Sequence, residues 1–234
     1  VAVRSVEGLL GAMAVEFDRW AADGTVGVKR AGTALTDPSP AEAAEALARV
    51  RTGTADDHDA RALSDYVEHA FIEEAGRRGW PVCVHTGLWA GTWADPRTVH
   101  PEHLIPIALR HREVRFDVYH AGIPWVSDSG IMARQLPNLW LNLCWSHVIS
   151  PVMARRALDE WLDVVPVNKI IGWGGDYWMA IEKVYGHLAM ARQNIAEVLA
   201  ERVHRGLMTV DRAAQVGTML LRDNPAALYG LAME

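Results

Sequence analysis

Five short apolar runs alternate with helical segments along this chain, and that alternation constrains its fold more than any other feature. Each run has the length and continuous apolar character of a buried strand, whereas the segments between the runs repeat apolar residues every three or four positions. The runs are 26–29, 81–85, 114–120, 138–143 and 169–173, and the helical segments are 41–51, 56–78, 102–111, 126–136 and 151–164. Buried strands that alternate with helices favour a parallel sheet covered on both faces, so the sequence predicts an α/β fold.

Helical periodicity also dominates both ends of the chain. Leu9, Met13, Phe17 and Trp20 form one apolar face of an N-terminal helix, which Gly24 is expected to end. The segment 180–234 is predicted to form C-terminal helices, and the whole chain, 1–234, is predicted to be one domain. The length of 234 residues agrees with this prediction, because a single α/β barrel often has about 250 residues.

Charge and cysteine usage exclude several classes of function. The chain has 23 basic and 29 acidic residues, a formal charge of −6, and no basic patch that would favour a nucleic acid. No uncharged apolar run is long enough for a membrane span. Cys83 and Cys144 lie in or beside predicted strands and are expected to be buried free thiols, which suits a reducing cytoplasm. We therefore expect a cytoplasmic protein that acts on a small molecule.

Polar residues follow the predicted strands where a phosphate-binding loop would otherwise stand. The segment Gly172–Gly175 does not match the dinucleotide-binding glycine pattern, whereas His85 and His120 end two successive strands and Asp176 follows the last one. The C-terminal ends of parallel strands meet at one edge of the sheet, so these side chains are expected to converge there. Imidazoles and a carboxylate can hold a divalent cation that activates water, with Asp176 taking the proton. The alternatives are structural histidines and a helix-capping aspartate.

Three further residues are expected near the same edge. Lys29 ends the first strand and could bind an anionic substrate group, bridge two metals if carboxylated, or form a salt bridge at the strand end. Trp145 and His147 follow the 138–143 strand and could line the substrate pocket, although Trp145 could equally serve in packing.

Four segments resemble the later strands of an amidohydrolase-superfamily barrel, and most closely the amidohydrolase-related group with uronate isomerase-like members. They are Val84-His85-Thr86-Gly87, 116–122 (FDVYHAG), 137–142 (PNLWLN) and 170–177 (IIGWGGDY); the ending at 223–231 (DNPAALYGL) resembles that group's closing helix. The resemblance covers roughly residues 5 to 231 and implies a TIM-type (β/α)₈ barrel, of which this chain carries strands four to eight. It implies that His85, His120 and Asp176 bind metal, with zinc the expected ion. It also implies that Asp176 shuttles the proton of the attacking water while His120 positions or polarises the scissile carbonyl, and Tyr177, next to Asp176, is expected to contact substrate.

One feature of the family pattern has no counterpart. The family carries an H-x-H pair of metal ligands after its first strand, and this chain contains no H-x-H. The resemblance thus leaves strands one to three unmatched. A five-strand arc would leave edges at 26–29 and 169–173, which are expected either to be covered by a second copy of the chain or to be left open. The leading function is a metal-dependent hydrolase that cleaves a C–N or C–O bond; the alternatives are a decarboxylase, a uronate isomerase-like enzyme, or a truncated barrel without activity.

Overall fold

The computed structural model describes residues 4–31, 34–177 and 181–233, and its centre is a five-stranded parallel sheet. The strands are β1 (Val28–Arg30), β2 (Val82–His85), β3 (Phe116–Tyr119), β4 (Leu139–Asn142) and β5 (Ile170–Ile171). They are paired in chain order, so β1 and β5 are the edge strands. The predicted parallel α/β sheet and the identity of its two edge strands are thus confirmed.

Helices precede, connect and follow the strands, as the alternation predicts. They are α1 (Val6–Ala22), α2 (Pro40–Thr52), α3 (Asp57–Arg77), α4 (Leu104–Arg110), α5 (Val126–Gln135), α6 (Ser146–Ile149), α7 (Pro151–Val164), α8 (Ile181–His204), α9 (Val210–Thr218) and α10 (Asn224–Tyr229). Local capping sets several ends: Ser39 accepts from the Glu42 amide at the start of α2, and Thr209 accepts from the Arg212 amide at the start of α9. No described helix combines the length and the apolar character needed to cross a membrane.

Both edge strands differ from their predicted bounds. β1 runs from Val28 to Arg30, and the ring of Tyr229 packs against Gly27, 3.0 Å from where a Cβ would stand. At the other edge, the Gly172 amide donates to the carbonyl oxygen of Leu220 at 2.8 Å. That donor is therefore engaged by the C-terminal helices, and β5 ends at Ile171.

The hydrophobic core lies between the sheet and its helices. Phe17 of α1, Phe116 of β3 and Trp161 of α7 are fully buried, and the Trp161 indole donates to the Val126 carbonyl at 2.8 Å. This bond satisfies the one polar group of a large core side chain, as buried polar groups require. The two cysteines are buried free thiols, as predicted.

Candidate metal centre and active site

The C-terminal edge of the sheet carries a cavity of about 180 Å³ that contains the three predicted metal ligands. His85 is the last residue of β2, His120 directly follows β3, and Asp176 lies in the loop after β5. The residues that line the cavity are His85, Leu88, Ala90, His120, Trp145, Ile149 and Asp176. Convergence arises because all five strands are parallel, so residues far apart in sequence leave the sheet on the same side.

Hydrogen bonds to carbonyl oxygens determine which ring nitrogens of the two histidines carry protons. His120 Nδ1 lies 3.0 Å from the Cys144 oxygen, and His85 Nε2 lies 3.1 Å from the Leu88 oxygen. A carbonyl only accepts, so each of these nitrogens must be the donor. In the neutral rings, the opposite nitrogens, His120 Nε2 and His85 Nδ1, then present lone pairs to each other across 3.0 Å.

Burial keeps both rings neutral. Desolvation, with a smaller contribution from the neighbouring His85, lowers the pKa of His120 to about 4. Desolvation also lowers the pKa of His85. Near pH 7, therefore, no proton lies between the two facing nitrogens. Two lone pairs at this distance fit a cation, and an imidazole whose other nitrogen donates to a carbonyl is the usual form of a histidine metal ligand.

Asp176 completes the set with negative charge. Its Oδ2 lies 3.6 Å from His120 Nε2, and both of its oxygens accept from Lys29 Nζ, at 2.6 and 2.5 Å. Two ligand atoms of a tetrahedral zinc ion are about 3.3 Å apart, close to the 3.0 and 3.6 Å observed between these donors. His120 thus lies at the spacing of zinc ligands from both His85 and Asp176.

A thiol adjoins the same site. Ligand atoms of His120, Cys144 and Asp176 all lie within 4.8 Å of one another. Burial raises the pKa of the Cys144 thiol well above its usual range, which disfavours the thiolate form that binds metals. In the metal-free protein Cys144 is therefore a protonated thiol beside the site.

Backbone conformation marks the same region. His120, Trp145 and Asp176 have φ values of 66°, 62° and 49°, in the left-handed region that non-glycine residues seldom adopt. Such conformations persist where the surrounding structure enforces them, and they cluster at functional sites. Here they turn three side chains of the cavity inward from the strand ends.

Of the remaining predicted site residues, some lie at the cavity and others lie away from it. Lys29 forms the strand-end salt bridge that was one of its three predicted roles, and Trp145 lines the cavity. Tyr177 is not among the residues that line the cavity; its ring lies 6.2 Å from that of Trp145 and its hydroxyl 3.3 Å from His187 Nδ1. His147 lies away from the cavity on α6: it is buried, and its Nε2 lies 2.9 Å from the Gly172 oxygen and its Nδ1 3.2 Å from Asn194 Nδ2.

Sequence reasoning missed the role of neighbouring residues in shaping the site. Leu88, Ala90 and Ile149 form its apolar wall, and nothing in their local sequence distinguishes them from ordinary loop and helix residues. Asn142 did carry a signal, because it is a polar residue at the end of an apolar strand and is fully enclosed.

Comparisons with known proteins agree with this geometry. A family model described as Amidohydrolase matches residues 11–231. Protein fluG of Emericella nidulans is 27% identical over 155 residues, which make up 64% of this chain and 17% of that protein. The chain therefore spans only a small part of this relative.

Solved structures share the fold at low sequence identity. The glucuronate isomerase of Caulobacter crescentus has a TM-score of 0.81 at 17% identity, over 98% of this chain and 52% of that chain. The uronate isomerase of Thermotoga maritima has a TM-score of 0.76 at 15% identity, over 96% and 54%. A proposed metal-dependent hydrolase from Lactobacillus casei has a TM-score of 0.75 at 17% identity, over 97% and 60%. The chain thus spans between half and three fifths of these structures, with the same α/β, TIM-barrel-like architecture. Because the family match extends over nearly its whole length, the chain belongs to the amidohydrolase family.

Proposed function

We propose that the cavity is the active site of a metal-dependent hydrolase that cleaves a C–N or C–O bond of a small molecule. The observation that carries this proposal is the pair of facing imidazole lone pairs, 3.0 Å apart, beside the carboxylate of Asp176. His85, His120 and Asp176 would hold the ion. Zinc is the proposed metal, because imidazole and carboxylate donors in a small tetrahedral set suit it.

Each side chain then has a defined task. The ion would supply the Lewis acidity that activates a water molecule. Asp176 takes the proton of that water and returns it to the leaving group, as a general base and then a general acid. Lys29 holds the carboxylate through both of its oxygens and so orients it toward the cavity. With its proton on Nδ1, His120 offers a lone pair on the cavity side, which favours the role of a ligand over that of a donor to the scissile carbonyl.

The walls of the cavity favour an apolar substrate body. Apart from the three proposed metal ligands, the cavity is lined by Leu88, Ala90, Ile149 and Trp145. These side chains offer few partners for the hydroxyl groups of a sugar acid, which favours hydrolysis of a compact amide or ester over isomerisation of a uronate. The partly exposed ammonium of Lys29 is the proposed partner for an anionic group on the substrate.

The sheet is proposed to be strands four to eight of an eight-stranded barrel. Support comes from the shared fold and from the fraction of each solved relative that the chain spans, 52–60%. The outer edges of β1 and β5 would then pair with further strands or with a second copy of this chain, since unpaired edges invite association. A homo-oligomer in the cytoplasm is the proposed state, and sedimentation velocity of the chain measures its assembly.

The test is metal binding and turnover by the full chain and two aspartate variants. Asp176→Asn is expected to lower zinc affinity and to reduce the hydrolysis of a panel of small amides, esters and lactones by at least about 100-fold. Asp211→Asn is the control, because Asp211 lies in the exposed first turn of α9. A panel that includes a hexuronate separates hydrolysis from isomerisation. Equal zinc content and equal turnover in the Asp176→Asn protein and its parent would refute the proposal.

A further inference from the structure

A fully buried carboxyl group lies one layer below the candidate metal centre. Asp117 of β3 is 0% exposed, and its Oδ2 accepts from the Tyr229 hydroxyl of α10 at 2.6 Å and from Asn142 Nδ2 at 2.8 Å. Burial raises the pKa of Asp117 to about 7. A carboxyl group this deep needs donors from its surroundings, and Asn142, at the end of β4, is one of the two that hold it.

Asn142 is also connected to His120 through hydrogen bonds. Its Oδ1 accepts from the Cys144 amide at 2.9 Å, and the Cys144 carbonyl accepts from His120 Nδ1 at 3.0 Å. Asn142 and His120 are each 2% exposed, and Cys144 is 0% exposed. A chain of buried and half-buried hydrogen bonds therefore runs from Tyr229 and Asp117, through Asn142 and the backbone amide and carbonyl of Cys144, to the imidazole.

We propose that Asn142 is a positioning residue for His120: it fixes the backbone of Cys144, whose carbonyl keeps the proton of His120 on Nδ1 and its lone pair in the cavity. This inference rests on the proposed metal-dependent function. An asparagine suits the place because its amide donates to a carboxylate and accepts from a backbone amide at the same time. Partners of this kind behind a metal-binding histidine orient the ring and set its tautomer.

A purely structural polar bridge would look the same in the coordinates, so the test must compare two buried asparagines of the same strand region. Asn138 precedes β4, and its Nδ2 donates to the carbonyls of Ala108, His111 and Val114, outside the site. Asn142→Ala and Asn138→Ala are both expected to lower the unfolding temperature of the chain, because each removes buried hydrogen bonds. Only Asn142→Ala is expected to affect the metal centre.

Two measurements on the full chain decide the matter. Zinc affinity, from competition with a chromophoric chelator, is expected to fall about tenfold or more in Asn142→Ala and to stay within about twofold in Asn138→Ala. In zinc-free protein with ¹⁵N-labelled histidine, long-range ¹H–¹⁵N spectra report the tautomer. His120 is expected to be protonated on Nδ1 in the parent and to lose this single form in Asn142→Ala.

The outcomes are distinguishable. If Asn142→Ala keeps parental zinc affinity and the parental His120 tautomer, or if Asn138→Ala loses as much affinity, Asn142 has no positioning role. If Asn142→Ala does not fold, Tyr229→Phe takes its place: loss of the phenol donor to Asp117 is expected to weaken zinc binding by a smaller factor, and unchanged binding overturns the inference. If His120→Ala itself leaves zinc affinity unchanged, the proposed metal centre fails, whatever the result at Asn142.

Discussion

Replacing Lys29 by methionine is expected to tighten zinc binding, although it removes a salt bridge. The ammonium of Lys29 lies 2.5 Å from Asp176 Oδ2, the oxygen that is nearest to His120 Nε2. A cation bound through that oxygen at about 2.1 Å would lie within about 4.6 Å of the ammonium. The two positive charges repel each other, and Lys29 also occupies the carboxylate that the ion must engage.

The size of the effect follows from the exposure of the pair. The side chains of Lys29 and Asp176 are 35% and 29% exposed, so the dielectric constant of water applies to their surroundings. Coulomb's law for charges of +2 and +1 at about 4.6 Å in water gives a repulsion of about 1.8 kcal/mol. Because 1.4 kcal/mol corresponds to a tenfold change in affinity, the loss of the ammonium should raise zinc affinity by about 20-fold. Screening is small, since the separation is less than the Debye length of about 8 Å at physiological ionic strength.

The assay is zinc competition with a chelator on the parent and three variants. Lys29→Met should bind about 20-fold more tightly, while Lys29→Arg, which keeps the cation, should stay near the parent value. Lys183→Met removes an exposed lysine from α8 and should change nothing. Hydrolysis by Lys29→Met is expected to fall even as zinc binds more tightly, because Asp176 loses the group that orients it. Weaker zinc binding by Lys29→Met would refute the reasoning and would indicate that Lys29, once carboxylated, is itself a ligand.

Two further predictions concern stability. Desolvation lowers the pKa of His111 from 6.5 to about 4, so between these pH values the unfolded chain binds more protons than the folded chain. The contribution of neutral, buried His111 to folding stability is therefore complete above about pH 6.5 and is lost as the pH falls to about 4. The loss amounts to about 3 kcal/mol. In urea unfolding, the free energy of unfolding of His111→Gln should differ less between pH 7 and pH 4.5 than that of the parent. An equal difference in the two proteins would contradict this account. Gly87 has a φ of 78°, and a Cβ added to it would lie 2.3 Å from the Ile123 oxygen. Gly87→Ala should therefore lower the unfolding free energy by about 3 kcal/mol or more. Gly91 has open space around it, so Gly91→Ala should change the unfolding free energy by less than about 1 kcal/mol. Similar chemical-denaturation midpoints for the two alanine variants would contradict the packing argument.

Much of the fold could be predicted because its signals are local. The helix predicted over 151–164 is observed as Pro151–Val164, with Ser150 accepting at its start and Pro151 in the first turn. The apolar runs and the helices between them likewise predicted a parallel sheet, since a buried strand needs only its own continuous apolar character to be recognised. The end of β5 could not be predicted, because the Gly172 amide donates to Leu220, which lies far along the chain.

The candidate site divides in the same way. The positions of His85, His120 and Asp176 at or after the ends of β2, β3 and β5 predicted that they would meet, because parallel strands end on one side. The direction of each side chain was beyond such reasoning. His147 follows β4 closely enough to be expected in the pocket, yet its side chain contacts Asn194 of α8. Between β4 and His147, Trp145 has a positive φ, which redirects the backbone before α6 begins.

The amino-acid sequence alone therefore determined which segments became strands and helices and which polar residues reached the C-terminal edge of the sheet, since periodicity, capping and strand order are properties of neighbours along the chain. The tertiary structure alone decided that Lys29 pairs with Asp176, 147 positions away, and that the Cys144 carbonyl sets the tautomer of His120. Such contacts depend on distances of a few tenths of an ångström between elements packed from distant parts of the chain, and no local pattern encodes them.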